Sequence, residues 1–566
     1  MKRLFQIIFL FAMTSWAFAG TTGKISGKVT DLETGEPLIG VNIILEGTNI
    51  GSTTDADGYY AILNISPGIH SISASMIGYG RQSVTRIRVE IDRTSTTDMT
   101  LSSVVIEGKS VVVTAQREVI KMDVAASQRS ISAESIEGLP VSDVAQVITL
   151  QAGVSGFSVR GGSSSETTFI VDGIAMKDER NNAPITGIPL SAINEISVQT
   201  GGFNAEYSNV RSGIVNVVTK EGSKTKYSGT FSIKHSPAAQ KHFGDSPYNG
   251  NAYYLRPYLD PAVAFTGTTV GEPYTDANGN GYWDEGESFV DYNNDGNRTY
   301  WDKYEQRQYF KFNGWNYIAE ESLKNENTDD DISPSGAQDV FKWEHRKPGE
   351  IVNPDYVIDL GFGGPVPLSQ NFGNLRFYVS YMQDQDMYLY PVSTHGVNRK
   401  TFMLKMTSDL SPTMKLVFTS INSNFTATTS SSGGGTSYMS SVWNLGSAVN
   451  SAGFTTPWRL YTNDYWAPTD VSNGTFALKL TSQTTSESYY EIGISHITSD
   501  YLTEAGPIRD TSAINEIYDG KFLDEAPYGF WGEPIASIEG TLNMGGAVST
   551  SRDYSKIAST VIEADY

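Results

Sequence analysis

After its first nineteen residues this chain has no apolar run that could cross a bilayer as a helix, yet its C-terminal part alternates apolar and polar residues. A spanning helix needs about 20 consecutive apolar residues. Without one, only strands closed into a barrel can satisfy their backbone groups in lipid. Leu375, Phe377, Val379 and Tyr381 fall on one side of an extended segment, and Arg376, Tyr378 and Ser380 on the other. Phe402, Leu404 and Met406 repeat the pattern, as do Met414, Leu416 and Phe418, then Phe476, Leu478 and Leu480, then Tyr490, Ile492 and Ile494. A soluble sandwich shows the same period of two. The connections separate the two: short turns near 409–413 and 482–487 alternate with long segments at 237–355, 424–474 and 499–554. Short periplasmic turns and long extracellular loops produce that rhythm, so residues 227–566 read as a transmembrane antiparallel β-barrel.

The first residues agree with export. Lys2 and Arg3 precede the short apolar run Leu4–Trp16, and Ala17-Phe18-Ala19 supplies small residues for cleavage before Gly20, so residues 1–19 read as a signal peptide. The chain has no cysteine, which removes disulfides, thiol nucleophiles and thiolate metal sites. A net charge of −22 argues against a nucleic-acid partner, since phosphate binding needs clustered Lys and Arg.

Residues 20–102 read as a compact β-sandwich. Ile25, Val29, Val41, Ile43 and Leu45 alternate with polar or small neighbours, between turns at Thr34–Pro37, Asp55–Gly58 and Ser66–Gly68. Gly27–Asp31, Thr34–Asn42, Gly47-Thr48 and Thr54–Tyr60 resemble the carboxypeptidase regulatory-like domain, a transthyretin-like sandwich. The name implies no peptidase chemistry. The only histidine here, His70, reads as a surface strand residue, and no paired His and Glu stand at metal-ligand spacing.

A linker over 103–118 contains the β-branched run Val111, Val112, Val113, Thr114 and Ala115, a plausible edge strand open to capture by a partner. Residues 119–226 then read as a small α/β domain. It has short helices after Ser132 and Asp143, a hairpin turn at Asp172-Gly173, and the segments Arg160-Gly161-Gly162, Gly201-Gly202, Glu206-Tyr207 and Gly213 to Asn216. This order of motifs resembles the plug domain of TonB-dependent receptors. The resemblance implies that Val111–Ala115 is the TonB box, the strand offered to TonB in the periplasm. It also implies a barrel of about 22 strands around the plug. Roughly eight strands can be counted to residue 566, so the barrel is expected to be incomplete, from a fragment or a truncated product.

The first long connection carries two matches to a twelve-residue calcium loop. One presents Asp276, Asn278, Asn280, Asp284 and Glu287 with the Tyr282 carbonyl. The other presents Asp291, Asn293, Asp295, Asn297, Thr299 and Asp302. Only Ser288–Val290 separates them, too little for paired EF-hands. Residues 272–355 hold 19 acidic and 8 basic residues, half of the net charge, so a structural calcium ion would relieve repulsion there.

No phosphate loop, dinucleotide fingerprint, Ser-His-Asp set or metallohydrolase spacing is present, and the chain reads as no enzyme. Asp172, Glu195 and Glu206 read as solvated or as plug–barrel ion pairs rather than catalytic carboxylates. The resemblance implies an outer-membrane receptor that imports a siderophore, glycan or peptide, with TonB, membrane lipid and an extracellular ligand as partners. The alternative is a calcium-stabilised surface adhesin or carbohydrate-binding protein without transport.

Overall fold

The computed structural model describes residues 21–103, 111–114, 127–203, 210–241, 246–291, 296–298, 312–429, 439–447, 466–504, 513–530 and 552–565, with short omissions inside these spans. Residues 1–19, Ala115, Glu206, Tyr207, Asn293, Asp295, Thr299 and Asp302 lie outside them.

The N-terminal domain is two sheets packed face to face. One joins β1 (Gly23–Asp31), β4 (Tyr59–Ile65), β7 (Thr94–Thr96) and β8 (Met99–Leu101). The other runs β3 (Gly51–Thr53), β2 (Asn42–Leu45), β5 (Gly68–Ser75), β6 (Gln82–Val89) and β9 (Val111–Thr114). Because side chains alternate across a strand, Ile25, Val29, Ile43, Leu45, Ile62, Ile72 and Val89 meet in one core. The run read as an edge strand within the linker is the last strand of the sandwich over Val111–Thr114, lying parallel to β6. His70 is half-buried rather than on the surface, with its Nε2 2.7 Å from the carbonyl oxygen of Ser66.

The second domain is a five-stranded sheet in the order β10 (Gln128–Ser132), β15 (Ile193–Gln199), β16 (Gly213–Thr219), β13 (Thr167–Val171) and β14 (Ile174–Ala175). Between these in the chain stand the minor hairpin β11–β12 (Val154–Ser155, Ser158–Val159) and the helices α1 (Ala133–Glu137) and α2 (Val144–Thr149). Asp143 caps α2 by accepting the N–H of Gln146 at 2.8 Å, which satisfies one free donor of its first turn. Every residue of β16 is buried. A strand covered on both faces explains the nearly unbroken apolar run Ile214–Val218.

The wall is an eight-stranded antiparallel sheet of sequential neighbours: β17 (Ser228–Ser236), β18 (Asp355–Pro365), β19 (Arg376–Met387), β20 (Gly396–Ser411), β21 (Met414–Thr429), β22 (Ala467–Gln483), β23 (Tyr489–Thr503) and β27 (Lys556–Asp565). A separate small sheet, β24–β26 (Ala513–Tyr518, Lys521–Ala526, Gly529–Phe530), precedes the last strand. β17 and β27 are not paired with each other, so the sheet is open.

The two faces of the wall decide between membrane barrel and soluble sandwich. Phe377, Met406, Phe418, Leu478, Ile494 and Ile562 stand side by side across six strands on the outer face. That outer face stays open, with Phe231 69 % and Ile562 73 % exposed. The inner face carries Tyr378, Met403 and Ile421, which join the core of the α/β domain. Apolar residues pointing out and mixed residues pointing in toward a plug is the arrangement of a lipid-facing wall.

The long connection between β17 and β18 carries its own core. α3 (Arg256–Leu259), α4 (Trp315–Ser322) and α5 (Pro334–Glu344) bring together Tyr258, Phe312, Trp315 and Phe341. Trp315 donates its indole N–H to the Tyr258 carbonyl at 2.8 Å, which lets that ring be fully buried.

Candidate functional site: the plug–wall seam and the coupling strand

The seam between the α/β domain and the wall is built on the turn between β13 and β14. Asp172 and Gly173 both have left-handed φ, +50° and +91°, as a two-residue hairpin turn of this twist requires. That conformation turns the Asp172 carboxylate back onto β16, where it accepts the N–H of Thr219 at 3.0 Å and its hydroxyl. On its other side stands Lys405 of β20 at 3.1 Å, and the same ammonium donates to the Thr219 carbonyl at 3.2 Å. Lys405 is 4 % and Asp172 8 % exposed, so each ion's cost of leaving water is offset only by the other and by these hydrogen bonds.

Two residues beyond β16 a second charge cluster closes the periplasmic end. Glu221 lies 2.6 Å from Lys415 and 3.1 Å from Arg376, Arg376 reaches Asp409 at 3.2 Å, and Lys224 meets Asp409 at 2.6 Å. Burial works to raise the Glu221 carboxyl, but the charges of Lys415, Lys405 and Arg376 outweigh it and hold it well below the usual carboxylate range. At the opposite end Arg180 bridges Asp178 and Asp553 at 3.3 and 2.9 Å and stacks 3.1 Å over the ring of Tyr501. The Tyr501 hydroxyl completes this clasp by donating to Asp178 at 2.7 Å. Between the two ends, Asp359 accepts the N–H of Ser191 at 2.9 Å, and Tyr378 donates to its carbonyl at 2.7 Å.

The sandwich docks under this seam. Glu195 is 2 % exposed and accepts the N–H of Ile91 at 3.2 Å and the hydroxyl of Ser130; burial raises its carboxyl above the usual range. It is neither solvated nor paired with the wall, as its place in the sequence suggested, because the sandwich covers it. Asn194 donates to the Pro67 carbonyl at 2.6 Å, Arg93 to the Gln128 carbonyl at 3.2 Å, and Lys415 to Ser66 at 3.2 Å. A cavity of about 320 Å³ lies where sandwich, plug and wall meet, lined among others by Ser66, Asp172, Glu221, Lys405, Lys415 and Lys479.

The remaining motif residues hold the α/β domain together. Gly213 lies under Val159, whose side-chain carbon stands 2.6 Å from where a Cβ would sit, and Gly162 is equally tight against Ser212. Arg160 and Gly161 form an exposed left-handed turn, and the Arg160 guanidinium covers Gly201, which precedes Gly202 at φ +70°. Asn216 is buried in β16 opposite Ser197.

In the acidic connection, Asp276 accepts the N–H groups of Gly279 and Gly281 at 2.6 and 2.8 Å, which hold its carboxyl below the usual range. Glu287 closes the loop by accepting from Ala277 and Asp284 at 2.8 and 2.9 Å. The amides of Asn278 and Asn280 both donate to Asp284, and Tyr282 donates its N–H to the Asn280 oxygen at 2.8 Å. Asp291 repeats the first loop's bond from position one to position six, accepting from Gly296 at 2.8 Å; Asn297 follows. Among the described residues no three acidic or histidine side chains are gathered as a ready metal site. The first loop is folded by its own backbone N–H groups and asparagine amides, which point at the acids.

Residues 120–215 match the family described as "TonB-dependent Receptor Plug Domain", and residues 25–113 the "CarboxypepD_reg-like domain". The chain thus carries a plug domain of the TonB-dependent receptor type over residues 120–215. "TonB-dependent receptor P26" of Formosa agariphila is 32% identical over 216 residues, 35% of this chain and 21% of the relative. "TonB-dependent receptor SusC" of Bacteroides thetaiotaomicron is 27% identical over 260 residues, 41% of this chain and 25% of the relative. The chain thus spans about a fifth to a quarter of these relatives' length. A solved siderophore receptor, PirA of Acinetobacter baumannii, aligns at 12% identity and TM-score 0.36, covering 76% of this chain and 43% of its own. The plug match ends at residue 215, before Thr219 and Glu221. The wall residues that hold the plug, Lys405, Arg376, Lys415 and Asp409, were not singled out from sequence. A single Lys at an inward position of a strand that is apolar on its outer face, Lys405 between Leu404 and Met406, was the signal available.

Proposed function

We propose that this chain works in TonB-dependent import: an extracellular ligand binds above the plug, TonB takes hold of the segment Val111–Ala115 in the periplasm, and traction moves the plug against the wall. The observation that carries this reading is the seam itself. A plug seated on the inner face of a lipid-facing wall, and held by the buried pair Asp172–Lys405, needs work to be moved. The charges of the seam supply binding and positioning, which suits a transporter. The cargo class stays as the sequence suggests it, a siderophore, glycan or peptide.

The acidic connection takes calcium in a structural role on this reading. Asp276, Asn278, Asn280, Asp284, Glu287 and the Tyr282 carbonyl would supply the oxygens once the Asn278 and Asn280 amides turn from Asp284. Deletion of residues 109–116 tests the import reading. Loss of uptake with ligand binding retained is expected; unchanged uptake would reject it in favour of a surface adhesin. A growth screen of the host on candidate ligands, with and without this gene, supplies the cargo.

A further inference from the structure

We propose that the sandwich keeps the coupling strand: Val111–Thr114 is stored as the outermost strand of the sandwich sheet, and TonB capture is an exchange in which this strand leaves β6. The inference rests on the reading of Val111–Thr114 as the segment that TonB takes.

The pairing is parallel and covers the whole strand, with Gln82 opposite Val111, Ser83 opposite Val112, Val84 opposite Val113 and Thr85 opposite Thr114. The next residue of β6, Arg86, has a φ of +62°, which bends the extended course of that strand. Among the described residues β9 has one neighbour in the sheet order, β6, and spans four residues. A strand held by one short edge is the least secure element of a sheet. A partner that offers its own edge supplies the same backbone bonds, which is the chemistry of strand addition.

Exchange, rather than simple addition to the outer side, follows from where the chain goes next. β9 is fastened to the sandwich at Thr114, and the chain returns to the same domain at Gln128, whose carbonyl accepts from Arg93 at 3.2 Å. Both ends of the connection from strand to plug are therefore anchored on one body. That body is tied to the plug through Glu195 and Asn194 and to the wall through Lys415. Traction on Val111–Thr114 while it lies on β6 loads the sandwich and leaves the connection slack. Only after the strand has left β6 does a pull pass along the chain itself to β10.

The test is a reversible lock in the full chain, which has no native cysteine to interfere. Ser83→Cys with Val112→Cys places thiols on facing residues of β6 and β9. Binding of a TonB periplasmic domain is measured with the pair oxidised and reduced, beside a deletion of 111–114. The proposal expects an intrachain cross-link, binding weakened at least about tenfold in the oxidised form, and full recovery on reduction. Equal binding in both forms, or a folded chain that fails to cross-link, overturns it. If the reduced form and the unaltered chain bind no better than the deletion, the reading of this segment as the TonB site falls instead. Hydrogen exchange on the unaltered chain needs no substitution: protected amides in Val112–Thr114 support storage on β6, and exchange at the rate of a free peptide overturns it.

Discussion

The seam and the acidic connection spend the same residue type in opposite ways. In the seam Asp172, Glu221 and Asp409 are enclosed, and each faces a Lys or Arg within 3.2 Å. In the connection Asp276, Asp284 and Glu287 lie in an exposed loop and are met by backbone N–H groups and asparagine amides. A buried carboxylate needs a countercharge of fixed position, because water no longer solvates it. An exposed one needs only its loop folded, and it keeps the capacity to exchange amide donors for a cation. The seam is thus built to hold two bodies together, and the loop to take up an ion.

Removing one partner of the seam should have the largest effect. Asp172→Ala leaves Lys405 buried without a countercharge and should cost the plug about 3–5 kcal/mol, read as a lower urea midpoint for plug unfolding within an intact wall. Asp172→Ala with Lys405→Met should recover most of that loss; a double variant as weak as the single one would mean that the pair is not the main tie. Next comes packing beneath the seam. Gly213→Ala puts a Cβ against Val159 and should cost about 1–3 kcal/mol in the same measurement, unless Val159→Ala accompanies it.

For the acidic connection the expected effect is smaller. Calcium at ten times its dissociation constant should stabilise the connection by about 1.4 kcal/mol, and Asp276→Ala should abolish that gain. Calorimetry at millimolar calcium on the full chain checks it, and absence of heat would leave these loops as ordinary Asx-Gly turns. The smallest effect is pH-dependent docking of the sandwich. Burial raises the Glu195 carboxyl above its ordinary 4.5, so docking strengthens as pH falls through the raised value and levels off below 4.5; it is lost again as pH rises. Protection of the Ile91 amide, corrected for intrinsic exchange, should follow that course and become flat in Glu195→Gln.

Much of the architecture was legible because it is written in local pattern. Alternation placed the wall strands, and Asp172-Gly173 announced its turn, since few dipeptides tolerate left-handed φ twice in succession. The capping Asp143 marked α2 for the same kind of reason. Long-range matters were not legible. Nothing near Glu195 shows that Ile91, 104 residues earlier, covers it. Nothing near Val111 shows that β6 is its neighbour, because a strand edge carries no address in its own residues. Arg376 read as an ordinary inward polar position, and Lys405 drew no notice, because the plug's Glu221 and Asp172 that face them lie far away in the chain. The calcium loops were legible as loops, but whether their amides yield to an ion depends on binding energetics that spacing does not encode.

The central claim is that import requires the plug to move against the wall, and a lock across the seam tests it most directly. A Cβ at Gly187 of the plug would stand 3.2 Å from the Thr401 hydroxyl of β20, so Gly187→Cys with Thr401→Cys should cross-link plug to wall in a chain without other thiols. With the cargo identified by growth, uptake is measured before and after reduction. The account predicts ligand binding in both states, no uptake when oxidised, and restored uptake when reduced. Uptake at full rate through the cross-linked seam would contradict it.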